Sequence, residues 1–237
     1  MIYAVGIGPG SSRTMTYEAM YAIENSDVVV GYKTYIDLIK DIIKDKEIVS
    51  NGMKQEIERV KKAVEIAKTG KTVAVISSGD AGVYGMAGLV LELAEHEDVK
   101  IISGVTASTA AAAVLGAPLM HDYCHISLSD LLTPIDLIYK RVELAAQGDF
   151  VMCIYNPRSN GRPDYLKNAF EIIKKYKHIS TPVGIVKNAE RENQKSIVCT
   201  LGTIDYDNID MLSIVIVGNS STYIKNNKII TRRGYKL

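Results

Sequence analysis

Several protein classes are excluded by what this sequence lacks. It has no tryptophan and only three cysteines, Cys124, Cys153 and Cys199, which lie far apart and form no CxxC pair. This spacing argues against a disulfide framework and against a cysteine-based metal site. We therefore expect buried, neutral thiols.

An excess of charge of one sign and a long apolar run are also missing. The chain has 28 Lys and Arg residues against 27 Asp and Glu residues, a formal net charge of +1. Non-specific nucleic-acid binding usually requires a strongly basic balance. No apolar run approaches the length of a membrane-spanning helix, and the N-terminus does not resemble a signal peptide. We expect a cytoplasmic protein that binds neither nucleic acid nor membrane.

The known phosphate-binding fingerprints are incomplete. An apolar segment at the N-terminus leads into residues 6–12, GIGPGSS. A dinucleotide motif starting at Gly6 would need glycine where Ser11 stands, and Pro9 removes a backbone donor that a phosphate would use. No lysine follows as it would in a P-loop. This turn suits a ligand with few phosphates or none.

The chain is organised around residues 77–86, SSGDAGVYGM. The β-branched run 72–76 before it is typical of a buried parallel strand, and the apolar segment 86–94 after it has helical character. The glycines of the turn let a ligand approach the backbone, and Asp80 can cap a helix or accept hydrogen bonds from a ligand. A tight strand–helix connection without a ligand is the alternative that this stretch leaves open.

Apolar strands and amphipathic helices alternate along the 237 residues, which predicts an α/β protein. Residues 116–118, GAP, interrupt the pattern, so we predict an N-terminal domain at 1–117 and a C-terminal domain at 118–237. The first should contain a parallel sheet, and the alternating run 196–201 predicts a mixed sheet in the second. We expect the ligand site in the cleft between them.

Residues suited to unaided catalysis are not evident. No Ser-His-Asp order, zinc spacing or carboxylate pair stands out, so a reactive cofactor or substrate must come from outside. His121 and His125, with Asp122 between them, could suggest a metal site, but Ser129, Asp130 and Pro134 after them indicate a loop. No metal site is predicted.

Several motifs resemble the tetrapyrrole (corrin/porphyrin) methylase family. The short ones are residues 6–10 (GIGPG), 78–80 (SGD) and 104–107 (GVTA). The longer ones resemble the branch that methylates C-17 of a corrinoid precursor in cobalamin synthesis: residues 31–35 (GYKTY), 78–86, 127–134 (SLSDLLTP), 155–159 (YNPRS) and 231–235 (TRRGY). The resemblance spans the whole chain, with Arg232 standing where that branch usually has proline.

The resemblance implies a homodimer of two-domain chains that uses S-adenosylmethionine. It implies methylation of precorrin-3B or cobalt-factor III at C-17 with contraction of the macrocycle, giving precorrin-4 or cobalt-precorrin-4. Other relatives stay open as alternatives: a C-11 or C-20 corrin methylase, diphthine synthase, or a ribosomal-RNA ribose methylase. A tetrapyrrole- or nucleotide-binding carrier without catalysis is the alternative from a different class.

The resemblance and the loop positions together give three sets of site residues. Expected cofactor contacts are Pro9, Gly79, Asp80, Ala81, Val83, Tyr84, Thr106, Ala107, Tyr155, Asn188, Ala189, Ser213 and Ile214. Because the substrate carries many carboxylates, expected substrate contacts are Tyr32, Lys33, Tyr35, Lys54, Arg158, Arg162, Lys187 and Arg191. Candidates for proton transfer during ring contraction are His121, Asp122, His125 and Asp130.

Overall fold

A computed structural model of the chain describes residues 1–52 and 55–236. It contains two compact units, Met1–Ala107 and Ser108–Leu237. This division falls ahead of the predicted boundary after residue 117. The physical reason is that the short strand at Gly116–Ala117 pairs with residues 229 and 230 of the second unit.

The described part of the first unit contains a five-stranded parallel sheet covered by helices. Its strands are β1 (Ile2–Gly6), β2 (Val28–Tyr32), β3 (Glu47–Asn51), β4 (Val73–Ser77) and β5 (Val99–Ile102). Its helices are α1 (Tyr17–Glu24), α2 (Lys33–Leu38), α3 (Glu56–Ala67) and α4 (Ala87–Leu93). The spatial order is β3-β2-β4-β1-β5, and the pairings are parallel. All carboxyl ends therefore lie at one edge, the edge at which such sheets bind ligands.

The central strands of this sheet are buried on both faces, as the run 72–76 predicts. Val73 and Val75 of β4 pack into one apolar cluster, which includes residues of α3 and α4. Ala74 and Ile76 pack into a second cluster on the opposite face, which includes residues of α1 and α2. Two-residue alternation between two apolar faces explains why the strand is apolar throughout.

The second unit contains a mixed sheet, as predicted. Its helices are α5 (Ala107–Leu115), α6 (Ile135–Gln147) and α7 (Tyr165–Ile173). Its strands are β6 (Gly116–Ala117), β7 (Tyr123–Ser127), β8 (Val151–Tyr155), β9 (Pro182–Lys187), β10 (Lys195–Thr200), β11 (Ser213–Val217), β12 (Thr222–Lys225) and β13 (Lys228–Thr231). The main sheet has the order β10-β9-β11-β8-β7, and β12-β13-β6 form a smaller sheet.

Strand direction decides which loops of the main sheet share an edge. β7 and β8 are parallel, whereas β11 is antiparallel to both β8 and β9. The carboxyl ends of β7, β8 and β9 therefore lie at the same edge as the amino end of β11. The predicted cofactor contacts of this half fall on or near these strand ends.

The cysteines are free thiols. Cys153 is buried, and Cys124 and Cys199 are partly buried. Burial raises the pKa of Cys124 and of Cys199 to about 11 and that of Cys153 to about 12. All three are therefore neutral at pH 7, as the sequence predicts.

The helices of the described segments are short. None combines the length and apolar character that crossing a bilayer requires.

Candidate functional site

The loops that follow β1, β4 and β5 meet at the carboxyl edge of the first sheet. These strands are neighbours in the sheet, so their exits lie side by side. The backbone N–H of Gly8 donates to the carbonyl of Gly79 at 3.0 Å, and the N–H of Gly79 donates to the carbonyl of Gly8 at 2.8 Å. The first two family motifs, far apart in sequence, are thus directly joined.

Asp80 connects the β4 loop to the β5 loop. Its Oδ1 accepts a hydrogen bond from the N–H of Gly82 at 2.7 Å, and its Oδ2 accepts one from the N–H of Gly104 at 2.9 Å. Hydrogen bonds from N–H groups to a carboxylate are charge-assisted and stronger than neutral ones. The carboxylate therefore organises the loops internally, and any contact with a ligand is additional to this role.

Two glycines allow the loops to approach more closely than side chains would permit. A Cβ atom on Gly104 would lie 2.3 Å from the carbonyl oxygen of Gly79 and 2.5 Å from that of Gly6. A Cβ atom on Gly6 would lie 2.7 Å from the Gly79 oxygen. The three loops consequently present backbone peptide groups where they meet, and the charged side chain at this point, that of Asp80, is negative, which suits a ligand without phosphates.

Tyr84 is the most exposed large apolar side chain of the β4 loop. The residue is 56% exposed and its backbone φ is +54°. Residues other than glycine adopt this left-handed conformation at a cost, and such positions cluster at functional sites.

The predicted cofactor contacts of the first unit lie on these three loops, except Ala107, which follows the β5 loop as the first residue of α5. They are Pro9, Gly79, Asp80, Ala81, Val83, Tyr84, Thr106 and Ala107. The fold therefore brings these residues to one sheet edge, and their contact with a cofactor stays a prediction.

The predicted cofactor contacts of the second unit also share one edge, that of the mixed sheet. Tyr155 ends β8, Asn188 and Ala189 follow β9, and Ser213 and Ile214 begin β11. The N–H of Asn188 donates to the carbonyl of Leu212 at 3.1 Å, and Ser213 pairs with Lys187. The strand directions thus assemble residues that are up to about sixty positions apart in sequence.

A polar cluster in the second unit forms hydrogen bonds with the first turn of α5. The N–H of Ser108 donates to the Tyr155 hydroxyl at 3.0 Å, and the Ser108 Oγ lies 2.8 Å from His125 Nε2. The His125 ring packs edge-on against the Tyr155 ring at 5.3 Å. Burial lowers the pKa of His125, so the imidazole is neutral at pH 7. Ser108, fully buried, is not among the predicted site residues because its partners are distant in sequence.

The candidate proton-transfer residues do not form one group. His121 and Asp122 precede β7 and are exposed, His125 lies within the strand, and Asp130 follows its carboxyl end. A strand advances about 3.3 Å per residue, so the two ends of β7 carry their candidates to different edges of the sheet. In the described part of the chain, no three His, Cys, Asp or Glu residues gather as metal ligands would.

The predicted substrate cations of the second unit already have protein partners. Arg162, with its side chain 12% exposed, donates to the carbonyl of Leu128 at 3.1 Å and lies 3.8 Å from an oxygen of Asp130. Arg158 donates to the carbonyl of Tyr206 at 2.7 Å, and the Lys187 ammonium lies 2.5 Å from a carboxylate oxygen of Asp210. Their contact with a substrate, like that of Arg191, stays a prediction.

Predicted substrate contacts of the first unit line a groove at the carboxyl ends of β2 and β3. Tyr32 and Lys33 belong to its wall, and the Tyr35 ring packs edge-on against that of Tyr32 at 5.3 Å. The other described residues of the wall are Thr34, Asp37, Ser50, Asn51 and Gly52. Lys54, the last predicted contact of this half, lies outside the described residues.

Comparison with known proteins identifies relatives along the full chain. Residues 1–205 match the family model of Tetrapyrrole (Corrin/Porphyrin) Methylases. The chain is 53% identical over 241 aligned positions to a Salmonella typhimurium protein named probable cobalt-factor III C(17)-methyltransferase, and the match covers 100% of both chains. It is 39% identical to a Sinorhizobium precorrin-3B C(17)-methyltransferase, over 94% of this chain and 90% of that one. The crystal structure of the methyltransferase CobJ superposes with a TM-score of 0.93 at 33% identity, over 98% of this chain and 99% of that one.

Proposed function

Because the chain belongs to the tetrapyrrole (corrin/porphyrin) methylase family, we propose that it methylates a corrinoid precursor of cobalamin at C-17. The substrate is cobalt-factor III or precorrin-3B, and ring contraction gives cobalt-precorrin-4 or precorrin-4. The observation that carries this proposal is the 53% identity, over the whole length of both chains, to a protein named for this reaction. A cytoplasmic homodimer is part of the same proposal.

We propose S-adenosylmethionine as the methyl donor. When bound, it would supply an electrophilic methyl group on a sulfonium sulfur. The peptide surface where the β1, β4 and β5 loops meet fits this group, because it offers hydrogen-bonding backbone and because residues 6–10, 78–86 and 104–107 include no Lys or Arg, which a phosphate would need. In the first unit, the residues of these loops would hold it, with Asp80 keeping the β4 and β5 loops in place.

The main contribution of the protein to methyl transfer is positioning. Holding two reactants in a productive arrangement can lower a barrier by roughly 7–11 kcal/mol. Rigid loops achieve this better than mobile ones, and the hydrogen bonds of Asp80 and the Gly8–Gly79 pair make the loops rigid. Ring contraction also needs proton transfers, for which the neutral imidazole of His125 is able to accept a proton.

Incubation with radiolabelled S-adenosylmethionine and cobalt-factor III tests the proposal. We expect the label in a ring-contracted corrinoid, identified by its mass and absorption spectrum, and the same assay with precorrin-3B shows whether the metal is required. Label at C-11 or C-20, or label on elongation factor or RNA, would indicate another branch of the family. Binding of both compounds without transfer would indicate a carrier.

Asp80→Asn should weaken the binding of S-adenosylhomocysteine about tenfold. An amide has one acceptor oxygen, so only one of the N–H groups of Gly82 and Gly104 keeps its partner, and the lost charge-assisted bond is worth roughly 1.5–3 kcal/mol. Titration calorimetry measures the change. The exposed Asp45 provides a matched control, since Asp45→Asn should leave the Kd unchanged. Equal affinities for both variants would show that Asp80 does not organise the site.

A further inference from the structure

A buried arginine lies behind the groove at the carboxyl ends of β2 and β3. Arg59 of α3 is only 4% exposed. Its Nε donates to Oδ1 of Asn51 at 2.7 Å, and its Nη2 donates to the carbonyl of Gly52 at 2.9 Å. Both acceptors belong to the groove wall. The guanidinium group therefore fixes the position of that wall.

Among the described residues, none forms an ion pair that neutralises the charge of Arg59. Its acceptors are an amide oxygen and a peptide carbonyl, and within residues 1–52 and 55–236 no carboxylate oxygen lies within 4.0 Å of the guanidinium. Burial lowers the pKa of Arg59 because the charged form loses hydration, while Glu56, one turn earlier on α3, opposes this shift. A buried cation without a counter-ion is costly, and an anion bound nearby would offset that cost.

The front of the groove has the features of a site for an acidic group. Lys33 is exposed on its wall, where the ammonium group can donate hydrogen bonds to a bound oxygen. Ser50 and Asn51 add neutral polar groups to the wall, and Asp37 adds one negative charge. A carboxylate in the groove would thus contact Lys33 directly. It would also be attracted by the positive electrostatic potential of Arg59, which lies behind the wall.

We propose that this groove binds a carboxylate side chain of the corrinoid substrate. Lys33 contacts the carboxylate, and Arg59 is a positioning residue that holds Asn51 and Gly52 in place and adds positive potential. The inference rests on the proposed function, because it takes the acidic groups at the rim of the macrocycle as the ligand. Asp37 weakens binding and limits how strongly an acidic product is retained.

Steady-state kinetics with cobalt-factor III provide the first test. Lys33→Met should raise KM about threefold, as expected for one exposed ion pair, and Asp37→Asn should lower KM. Arg59→Met should raise KM about tenfold, with kcat and the Kd for S-adenosylhomocysteine little changed. Arg59→Lys should restore part of the loss, because it keeps the charge but cannot form both hydrogen bonds. The matched control is Lys40→Met, an exposed lysine outside the groove wall, which should change nothing.

Quenching of uroporphyrin III fluorescence measures binding without turnover and separates the two proposals. Suppose that the wild-type protein methylates neither corrinoid, but that Lys33→Met and Arg59→Met both weaken porphyrin binding. This result would support the proposed carboxylate site in the groove and overturn the proposed function. If KM and porphyrin affinity are unchanged in both Lys33→Met and Asp37→Asn, the proposed carboxylate site is overturned, whatever the result for Arg59→Met. A rise in KM that is confined to Arg59→Met and accompanied by a lower Tm would also overturn the proposed carboxylate site, because Arg59 would then have only a structural role.

Discussion

Gly104→Ala is expected to abolish measurable binding of S-adenosylhomocysteine and to lower the melting temperature. The added Cβ atom would lie 2.3 Å from the Gly79 oxygen and 2.5 Å from the Gly6 oxygen. Both atoms belong to backbone, which cannot rotate away as a flexible side chain would. Overpacking of this kind costs roughly 1–3 kcal/mol and occasionally more, and relief would require the three loops to separate. Calorimetric titration and thermal unfolding measure the two effects.

Gly88→Ala is the matched control for this experiment. Gly88 lies in α4, and a Cβ atom there would meet nothing within 4 Å. Since alanine favours a helix over glycine by about 1 kcal/mol, this variant should bind S-adenosylhomocysteine normally and unfold at a slightly higher temperature. If Gly104→Ala behaved in the same way, the close approach of the loops would not be a requirement for binding.

Asp149→Asn is expected to destabilise the protein by up to about 3 kcal/mol, the lower end of the range for a broken buried pair, because the Asp149 side chain is 44% exposed. The Asp149 carboxylate accepts a hydrogen bond from the Lys177 ammonium at 3.0 Å and two from Ser220, at 3.1 Å from its N–H and at 2.5 Å from its hydroxyl. The Lys177 side chain is only 2% exposed, so the substitution leaves a buried cation unpaired. Asparagine is the informative replacement, because the φ of Asp149 is +54° and asparagine tolerates that conformation. Urea denaturation gives the free energy of unfolding.

Two further variants test whether the unpaired Lys177 charge causes the destabilisation of Asp149→Asn. Asp149→Asn combined with Lys177→Met should recover much of the lost stability, since it removes the buried Lys177 charge together with its partner. Asp41→Asn removes one member of an exposed pair, with side chains 79% and 69% exposed, and should change stability by less than about 1 kcal/mol. A double variant as unstable as the single one would refute the unpaired charge as the cause.

The stability difference between wild type and Asp149→Asn should depend on pH. Burial by itself would raise the pKa of the Asp149 carboxyl, but the hydrogen bonds from Ser220 and Lys177 outweigh burial and hold the pKa below its usual value. A depressed carboxyl pKa stabilises the fold above the unfolded-state pKa, about 3.9, and this stabilisation is lost as the pH falls through the folded-state pKa. The two unfolding curves should therefore converge below about pH 4. A constant difference from pH 7 to pH 3 would contradict the ion pair.

Local features of the sequence predicted much of the site. The run 72–76 predicted a buried parallel strand, and the structure has β4 at Val73–Ser77. The alternating run 196–201 predicted a mixed sheet, and β10 is antiparallel to β9. Side-chain periodicity and glycine-rich turns are properties of short segments, so they can be read without knowing the fold.

Residues whose role depends on distant partners could not be predicted in the same way. Arg59 looks like one more charged residue of an amphipathic helix, and its burial depends on where Asn51 and Gly52 are placed. Arg162 looks like a free cation in a loop, yet it is mostly buried and bonded to the carbonyl of Leu128. His121 and His125, close in sequence, differ in surroundings because only His125 lies within β7.

The sequence by itself determined the α/β class, the family and the glycine-rich turns on which a phosphate-free ligand can rest. These features depend on periodicity and on backbone conformations that particular residue types favour. Only the tertiary structure decided which charges meet, as in the pairing of Asp149 with Lys177 and the burial of Arg59 behind the β2–β3 groove. Strand order and register join segments far apart in the chain, and no local pattern encodes the distance between two such side chains.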